Sequence, residues 1–222
     1  FFVNYEKKLT KAPGSTRIAA TPSLPYGSIS TVTKTTADFM NTVSGYLKNT
    51  YGYETGPYQN YENISDNEKM FARLDWNINN NHKFNIRYSQ VESKSPSNLS
   101  TSTSGSQFTA ADNRQSIYAM HFKNSNYFQE ANLYAGTAEL NSNFGKVNNS
   151  LRFSFAHQND PRSSGGKEFP LVDILDKDLT SPRTGNSTLV SFGYEPFTFG
   201  NLRDVMTYTF NDDLSLALGK HN

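Results

Sequence analysis

Two runs of alternating apolar and polar residues between Lys69 and Glu92 constrain the fold of this chain more than any other feature of its sequence. In the first run, the apolar positions are Met70, Ala72, Leu74, Trp76 and Ile78. In the second run, the apolar positions are Phe84, Ile86 and Tyr88. A side-chain period of two is typical of a β-strand, because successive Cβ atoms point to opposite faces. The Asn-rich break at 79–82 tolerates the backbone conformations of a tight turn. The stretch therefore predicts an antiparallel hairpin.

The second face of this hairpin is strongly polar and includes Arg73, Asp75 and Arg87. A soluble β-sandwich would point such a face at water. A membrane barrel would point it into a wet lumen, while its apolar face contacts lipid. Alternation alone leaves both architectures open.

The composition narrows the class of protein. Mean hydropathy is −0.67, yet aromatic residues make up 14% of the chain, whereas disordered chains are poor in aromatics. No apolar run approaches the ~20 residues of a membrane-spanning helix. The strands of a membrane barrel contain no such apolar run, because half of their residues face the lumen. The net charge of +1 gives no electrostatic reason to expect a nucleic-acid partner. The lack of cysteine excludes disulfides and thiolate sites.

Long and short connections alternate along the chain. Strand-like runs at 1–5, 69–92, 134–144, 151–155, 202–210 and 214–218 are joined by long irregular tracts at about 10–67, 93–130 and 159–201 and by short turns at 79–82, 145–148 and 211–213. If consecutive strands run up and down, all long tracts lie at one rim. Outer-membrane barrels have this asymmetry, which a sandwich does not require, so the pattern favours the barrel.

Two further elements are predicted within the long tracts. Residues 36–51 place Phe39, Val43, Tyr46 and Leu47 at helical spacing, with Thr35 or Thr36 as N-cap and Gly52 as the stop. The pattern predicts a short amphipathic helix that packs on its own loop. Weak alternation over 116–122 predicts a strand.

We therefore predict an all-β fold: one domain that is an antiparallel up-and-down transmembrane β-barrel segment of about seven strands, with long extracellular loops and short periplasmic turns. The lumen-facing candidates are Arg73, Asp75, Arg87, Glu139 and Arg152. The candidates for lipid-facing or aromatic-girdle positions are Trp76, Phe84, Tyr88, Leu151, Phe153, Phe155 and Tyr208.

Several stretches also resemble a known family. FFVNYEKK, LKNTYGYETGPYQNY, FARLDWNINNNHKFNIRYS, NSNYFQEANLYAGTAELNSNFGKVNNSLRFSF and GKHN are similar to the barrel of TonB-dependent outer-membrane transporters, in particular the Oar-like type of Bacteroidota. The resemblance covers most of the chain. No single motif is diagnostic, but the order and spacing of the segments together are fairly specific.

The resemblance implies a Gram-negative outer-membrane location and a 22-stranded barrel around an N-terminal plug. It implies nutrient import energised by the TonB-ExbB-ExbD complex through that plug, with outer-membrane lipid and a surface lipoprotein as further partners. Neither the plug nor a TonB-contacting box is recognisable in these residues. Because both ends fall inside strand-like segments, we interpret the chain as an internal piece of a longer protein.

The sequence offers little that indicates covalent chemistry, so we expect no enzyme activity and no cofactor or metal. None of His82, His121, His157 and His221 has metal-ligand spacing. The carboxylates of Asp173, Asp176 and Asp178 suggest loop calcium, but they lack the glycine and terminal glutamate of an EF-hand loop. The alternative function is a secreted β-sandwich that binds carbohydrate or protein.

Overall fold

The computed structural model describes residues 1–102, 113–176 and 187–219. Its regular elements are β1 (Phe2–Pro13), β2 (Ile18–Ala20), β3 (Val32–Thr36), α1 (Ala37–Tyr51), β4 (Glu62–Asn77), β5 (His82–Ser97), β6 (Met120–His121), a 3₁₀ turn (Lys123–Ser125), β7 (Tyr127–Glu130), β8 (Asn132–Asn143), β9 (Val147–Ser164), β10 (Val172–Asp176), β11 (Ser187–Phe192) and β12 (Leu202–Leu216).

One seven-stranded antiparallel sheet dominates the structure, and the prediction of an antiparallel all-β fold is confirmed. Its strands lie in the order β1-β4-β5-β8-β9-β12, and β7 extends β8 between β5 and β9. Within the described residues, β1 pairs only with β4 and β12 only with β9, so the sheet is open at both edges.

Two short turns join strands at one end of the sheet. Between β4 and β5, the Asn79 side-chain oxygen accepts hydrogen bonds from the backbone N–H groups of Asn81 and His82, both at 2.9 Å. Between β8 and β9, Gly145 adopts φ +76°, in the left-handed region that favours glycine. The predicted turns at 79–82 and 145–148 thus lie within two residues of the observed ones, at 78–81 and 144–146. The three long connections lie at the other end.

The predicted turn at 211–213 is wrong. β12 runs unbroken from Leu202 to Leu216, and Asn211 and Asp212 pair with Arg152 and Leu151 of β9. Asn and Asp favour turns in isolation, but here their backbones continue the ladder. Asn149 of β9 donates a side-chain hydrogen bond to Asp212 and so gives it a polar partner.

The strands also extend farther into the long connections than alternation indicates. β1 reaches Pro13, β4 begins at Glu62, β5 ends at Ser97 and β9 ends at Ser164, so the connections span 14–61, 98–126 and 165–201. Most of the added strand residues are polar on both faces, and isolated apolar residues such as Leu9 and Ile64 do not make an alternating pattern. Ion pairs such as Lys7–Glu68 and Lys11–Glu62 (3.1 Å) join the extended strands instead.

The described parts of the three long connections fold together into one unit, which we call the loop module. Its core contains Ala19, Met40, Val43, Leu47 and Tyr53 from the first connection, Met120 and Phe122 from the second, and Val190 and Phe192 from the third. The buried hydroxyl of Thr35 lies 2.8 Å from the carbonyl oxygens of both Tyr118 and Leu189. Side chains and backbone of all three connections are therefore interlocked.

Helix α1 confirms the predicted helix, including its caps. The Thr36 hydroxyl accepts a hydrogen bond from the N–H of Phe39 (3.2 Å), and Gly52 ends the helix in the left-handed conformation with φ +62°. Met40, Val43 and Leu47 form its buried stripe, whereas Tyr46, predicted to lie on that stripe, is largely exposed.

The strand predicted over 116–122 is mostly wrong. Only Met120 and His121 form a strand, β6, which pairs in parallel with β11. The preceding residues form turns, held by the hydrogen bond from the Ser116 N–H to the Asn113 carbonyl oxygen at 2.9 Å.

Candidate functional site

The pairing register brings the five predicted lumen-facing residues onto one face of the sheet. A single row across four strands contains Asp75, Asn85, Glu139 and Arg152, and the next row pairs Arg73 with Arg87. Residues directly opposite each other in a ladder share a face. We call this surface the polar face.

The charges on the polar face are arranged to compensate one another. The Arg73 guanidinium holds Asp75 with N–O distances of 2.6 and 2.9 Å. Glu139 accepts hydrogen bonds from Arg152 Nε at 3.0 Å and from the Asn141 amide at 2.7 Å. These carboxylates lie among three arginines, so Arg73 and Arg87 can face each other with less repulsion. Such an arrangement makes a hydrated wall that can contact polar solutes.

The seven residues predicted to face lipid or form a girdle all lie on the opposite face, which we call the apolar face. One row is Trp76, Phe84, Leu140 and Leu151, the next is Leu74, Ile86, Ala138, Phe153 and Phe210, and the third is Ala72, Tyr88, Gly136, Phe155 and Tyr208. Whether this face meets lipid stays a prediction.

The apolar face is open along its length. Trp76 is 59% exposed, Phe153 47% and Tyr208 64%, and in the described residues no second sheet packs on them. Gly136 lies beneath Phe155, where any Cβ would overlap the Phe155 ring, so the glycine lets this ring lie flat on the sheet.

A row of hydrogen-bonded polar side chains, which we call the polar border, forms the edge of the apolar face nearest the loop module. The Tyr88 hydroxyl donates to Gln90 (3.0 Å), and both Gln90 (2.9 Å) and Tyr134 (2.8 Å) donate to Glu92. Beyond this line the same face carries Asp66, Glu68, Lys94 and Asp204. The border ties the polar tips of aromatic residues to charged groups.

The carboxylates suggested as calcium ligands have other partners. Asp173 binds the guanidinium of Arg114 at 2.8 Å and accepts a hydrogen bond from the Ser191 hydroxyl at 2.7 Å, and Asp176 pairs with Lys34 at 2.6 Å. Asp178 lies outside the described residues. Among those that the structure covers, no cluster of His, Asp and Glu has the geometry to hold a metal.

Arg114 was not identified from the sequence. Only 2% of its side chain is exposed, and it also donates to the carbonyl oxygens of Ser100 (2.7 Å) and Ser102 (2.9 Å). It lies next to a Ser- and Thr-rich tract whose composition indicates an exposed loop, so no sequence signal reveals its burial.

The four histidines lie apart. His82 contacts the Ser142 hydroxyl at 2.9 Å, and His157 contacts Asp204 at 2.7 Å, both on the sheet. His121 lies in the loop module, where its Nε2 atom is buried without a hydrogen-bond partner among the described residues. His221 is outside the described part of the chain.

Burial lowers the pKa of His121 to about 4, against a weaker opposing effect of its hydrogen bond with Asn126. The loop module should therefore lose stability as the pH falls from about 6.5 toward 4, because only its unfolded form takes up this proton. We expect a loss of roughly 3 kcal/mol, measured as hydrogen-exchange protection of α1 amides. The variant His121→Gln should lack this pH dependence, and His82→Gln should keep it. An unchanged pH profile in His121→Gln would contradict the assignment.

Comparisons with family models, with curated proteins and with solved structures find no match for this chain. Within the described residues, no helix combines the length and the apolar character that crossing a membrane requires.

Proposed function

We propose that the chain forms part of a TonB-dependent outer-membrane barrel that imports a nutrient. The observation that carries this proposal is the open apolar face, with Trp76 and Phe153 among its exposed residues. An apolar surface of this extent is rare on a soluble protein unless something covers it. A barrel wall in lipid accounts both for the exposed apolar face and for the charges on the opposite face.

The dimensions of the apolar face support a membrane location. On β4 and the turn after it, apolar residues recur from Met70 to Ile78. This distance is roughly 26 Å along the strand at ~3.3 Å per residue. A tilted barrel strand needs about 9–11 residues to cross the hydrocarbon core. The border formed by Tyr88, Gln90, Glu92 and Tyr134 would then lie at the membrane interface.

The arrangement of connections supports the orientation. Barrels of this class have short turns on the periplasmic side and long loops outside the cell. The loop module would accordingly face the medium and capture the nutrient, and the polar face would line the lumen and contact the plug. The TonB-ExbB-ExbD complex would energise passage through that plug.

The alternative, a secreted β-sandwich module, receives less support. A sandwich buries the apolar face of one sheet against a second sheet. The apolar face of this sheet lies open, and the small sheets of the loop module lie at its end.

Cell fractionation combined with lipid-phase photolabelling tests the membrane location. We expect the protein in the outer membrane, with label at Leu151, Phe153 and Phe155 and little at Arg152 and Ser154 between them. A protein that purifies as a water-soluble monomer without detergent would overturn the proposal.

Transport is tested separately by untargeted mass spectrometry of the growth medium. Cells that contain the protein should deplete one nutrient class faster than cells that lack it, and deletion of TonB should abolish the difference. Depletion that is independent of TonB would contradict this mode of import.

A further inference from the structure

The loop module has a second apolar surface besides its core. Helix α1 contributes Met40, Val43 and Leu47 to the core, but Tyr46 and Tyr51 lie off this stripe and are each 58% exposed. A groove of about 750 Å³ opens between the helix and the strands of the third connection. Its lining includes Thr42, Tyr46, Tyr51, Phe169, Val172 and Ile174.

Aromatic rings are packed along this groove. The Tyr46 and Tyr51 rings meet edge to face, with centroids 5.9 Å apart and an angle of 81° between their planes. Tyr51 in turn meets Phe169 at 5.8 Å and 63°. Phe169 stacks on Tyr53 at 4.4 Å, which fixes its position against the module core. Such rings offer both faces and edges to another ring.

The size and chemistry of the groove select a small uncharged ligand. Small-molecule pockets typically measure about 300–1,000 Å³ and have mostly apolar walls. A stable protein interface needs about 20–30 residues on each side, whereas ten of the described residues line this groove. None of these ten described residues is charged, so this part of the lining offers no counterion to a charged ligand. Among the described lining residues, Thr42, Tyr46 and Tyr51 carry hydroxyls that can form hydrogen bonds with a guest.

We propose that this groove binds a small, uncharged molecule with a planar ring, and that such a molecule is the nutrient class captured by the loop module. The second part rests on the proposed function, whereas binding itself does not. Tyr51 and Phe169 offer aromatic surface to a ring, and Val172 and Ile174 add aliphatic surface to the same groove.

Photolabelling with a neutral phenyldiazirine tests binding on the full-length protein in lipid nanodiscs, with labelled sites mapped by mass spectrometry. We expect saturable labelling of Tyr51, Phe169 and Ile174 that unlabelled naphthalene competes away. Labelling of Phe153 on the apolar face should instead rise linearly with probe concentration, because it reports partition into lipid.

Two variants and a control complete this test. Ile174→Trp fills the groove and should reduce its labelling roughly tenfold. Tyr51→Ser removes one wall at an exposed position and should weaken saturation while the module stays folded. Tyr26→Ser, the same change at an exposed tyrosine outside the groove, should have no effect.

The outcomes separate the two proposals. If Phe153 is labelled but the groove is not, or is labelled without saturation, groove binding is overturned and the membrane barrel stands. If the groove is labelled saturably but Phe153 is not, the membrane location fails instead. Light scattering that shows a dimer with its groove protected from label would assign the surface to a second copy and overturn the proposal.

Discussion

Replacing Arg114 by methionine is expected to destabilise the loop module by about 3–5 kcal/mol, because it breaks the buried ion pair between Arg114 and Asp173. The side chain of Asp173 is only 10% exposed and is held by two nitrogens of Arg114. The carbonyl oxygens of Ser100 and Ser102 would lose their donor as well. Hydrogen exchange of α1 and limited proteolysis of the loops measure the loss.

A matched control and a double variant make this prediction specific. Lys48 forms an ion pair with Glu54 at 2.9 Å, but both side chains are more than half exposed, so Lys48→Met should cost less than about 1 kcal/mol. Removing both buried charges, in Arg114→Met with Asp173→Leu, should recover much of the stability. A double variant no more stable than Arg114→Met alone would show that loss of the Arg114–Asp173 ion pair is not the cause.

The second large effect is expected on the apolar face. Phe153 lies in the middle row of that face, between Ala138 and Phe210. In a membrane barrel, Phe153→Arg should destabilise the folded protein by about 2–4 kcal/mol, because an arginine at mid-depth is placed in hydrocarbon. Urea unfolding in lipid vesicles measures the difference.

Ala156→Arg is the control for this variant. Ala156 belongs to the same strand but lies on the polar face, where its ladder neighbours are Ala135 and Thr207. A lumen position leaves its guanidinium in water, so a change of less than about 1 kcal/mol is expected. Equal tolerance of both variants would contradict a lipid-facing role for Phe153.

The two faces of the sheet were predictable because the side-chain period in a strand is fixed at two. Wherever one face is apolar, as from Met70 to Trp76, alternation identifies it without any knowledge of the partner strand. The same reasoning fails where both faces are polar, as along Lys7 and Glu68, since backbone hydrogen bonds continue there without an apolar signal. It also fails at Asp212, where pairing with a neighbouring strand overrides a local turn preference.

The loop module was largely beyond prediction. Its helix has a local period and local caps, which the sequence places at Thr35 or Thr36 and at Gly52. Its core instead depends on contacts between residues far apart in the chain, such as Met40, Phe122 and Val190. No local sequence pattern encodes which of these distant segments pack together. The burial of Arg114 and the groove beside Tyr51 both depend on that packing, so neither could be predicted.

If the sheet is part of the proposed barrel, the shared core of the loop module determines how the entrance moves. The side chain of Phe122, from the second connection, is fully buried among residues of the first and third. Moving one connection away from the others would expose the apolar side chains of the other two to water. The free-energy cost of this exposure opposes independent motion of the connections. The loop module should therefore swing as a single rigid body, with bending confined to the strand ends near Pro13, Ser97 and Ser164.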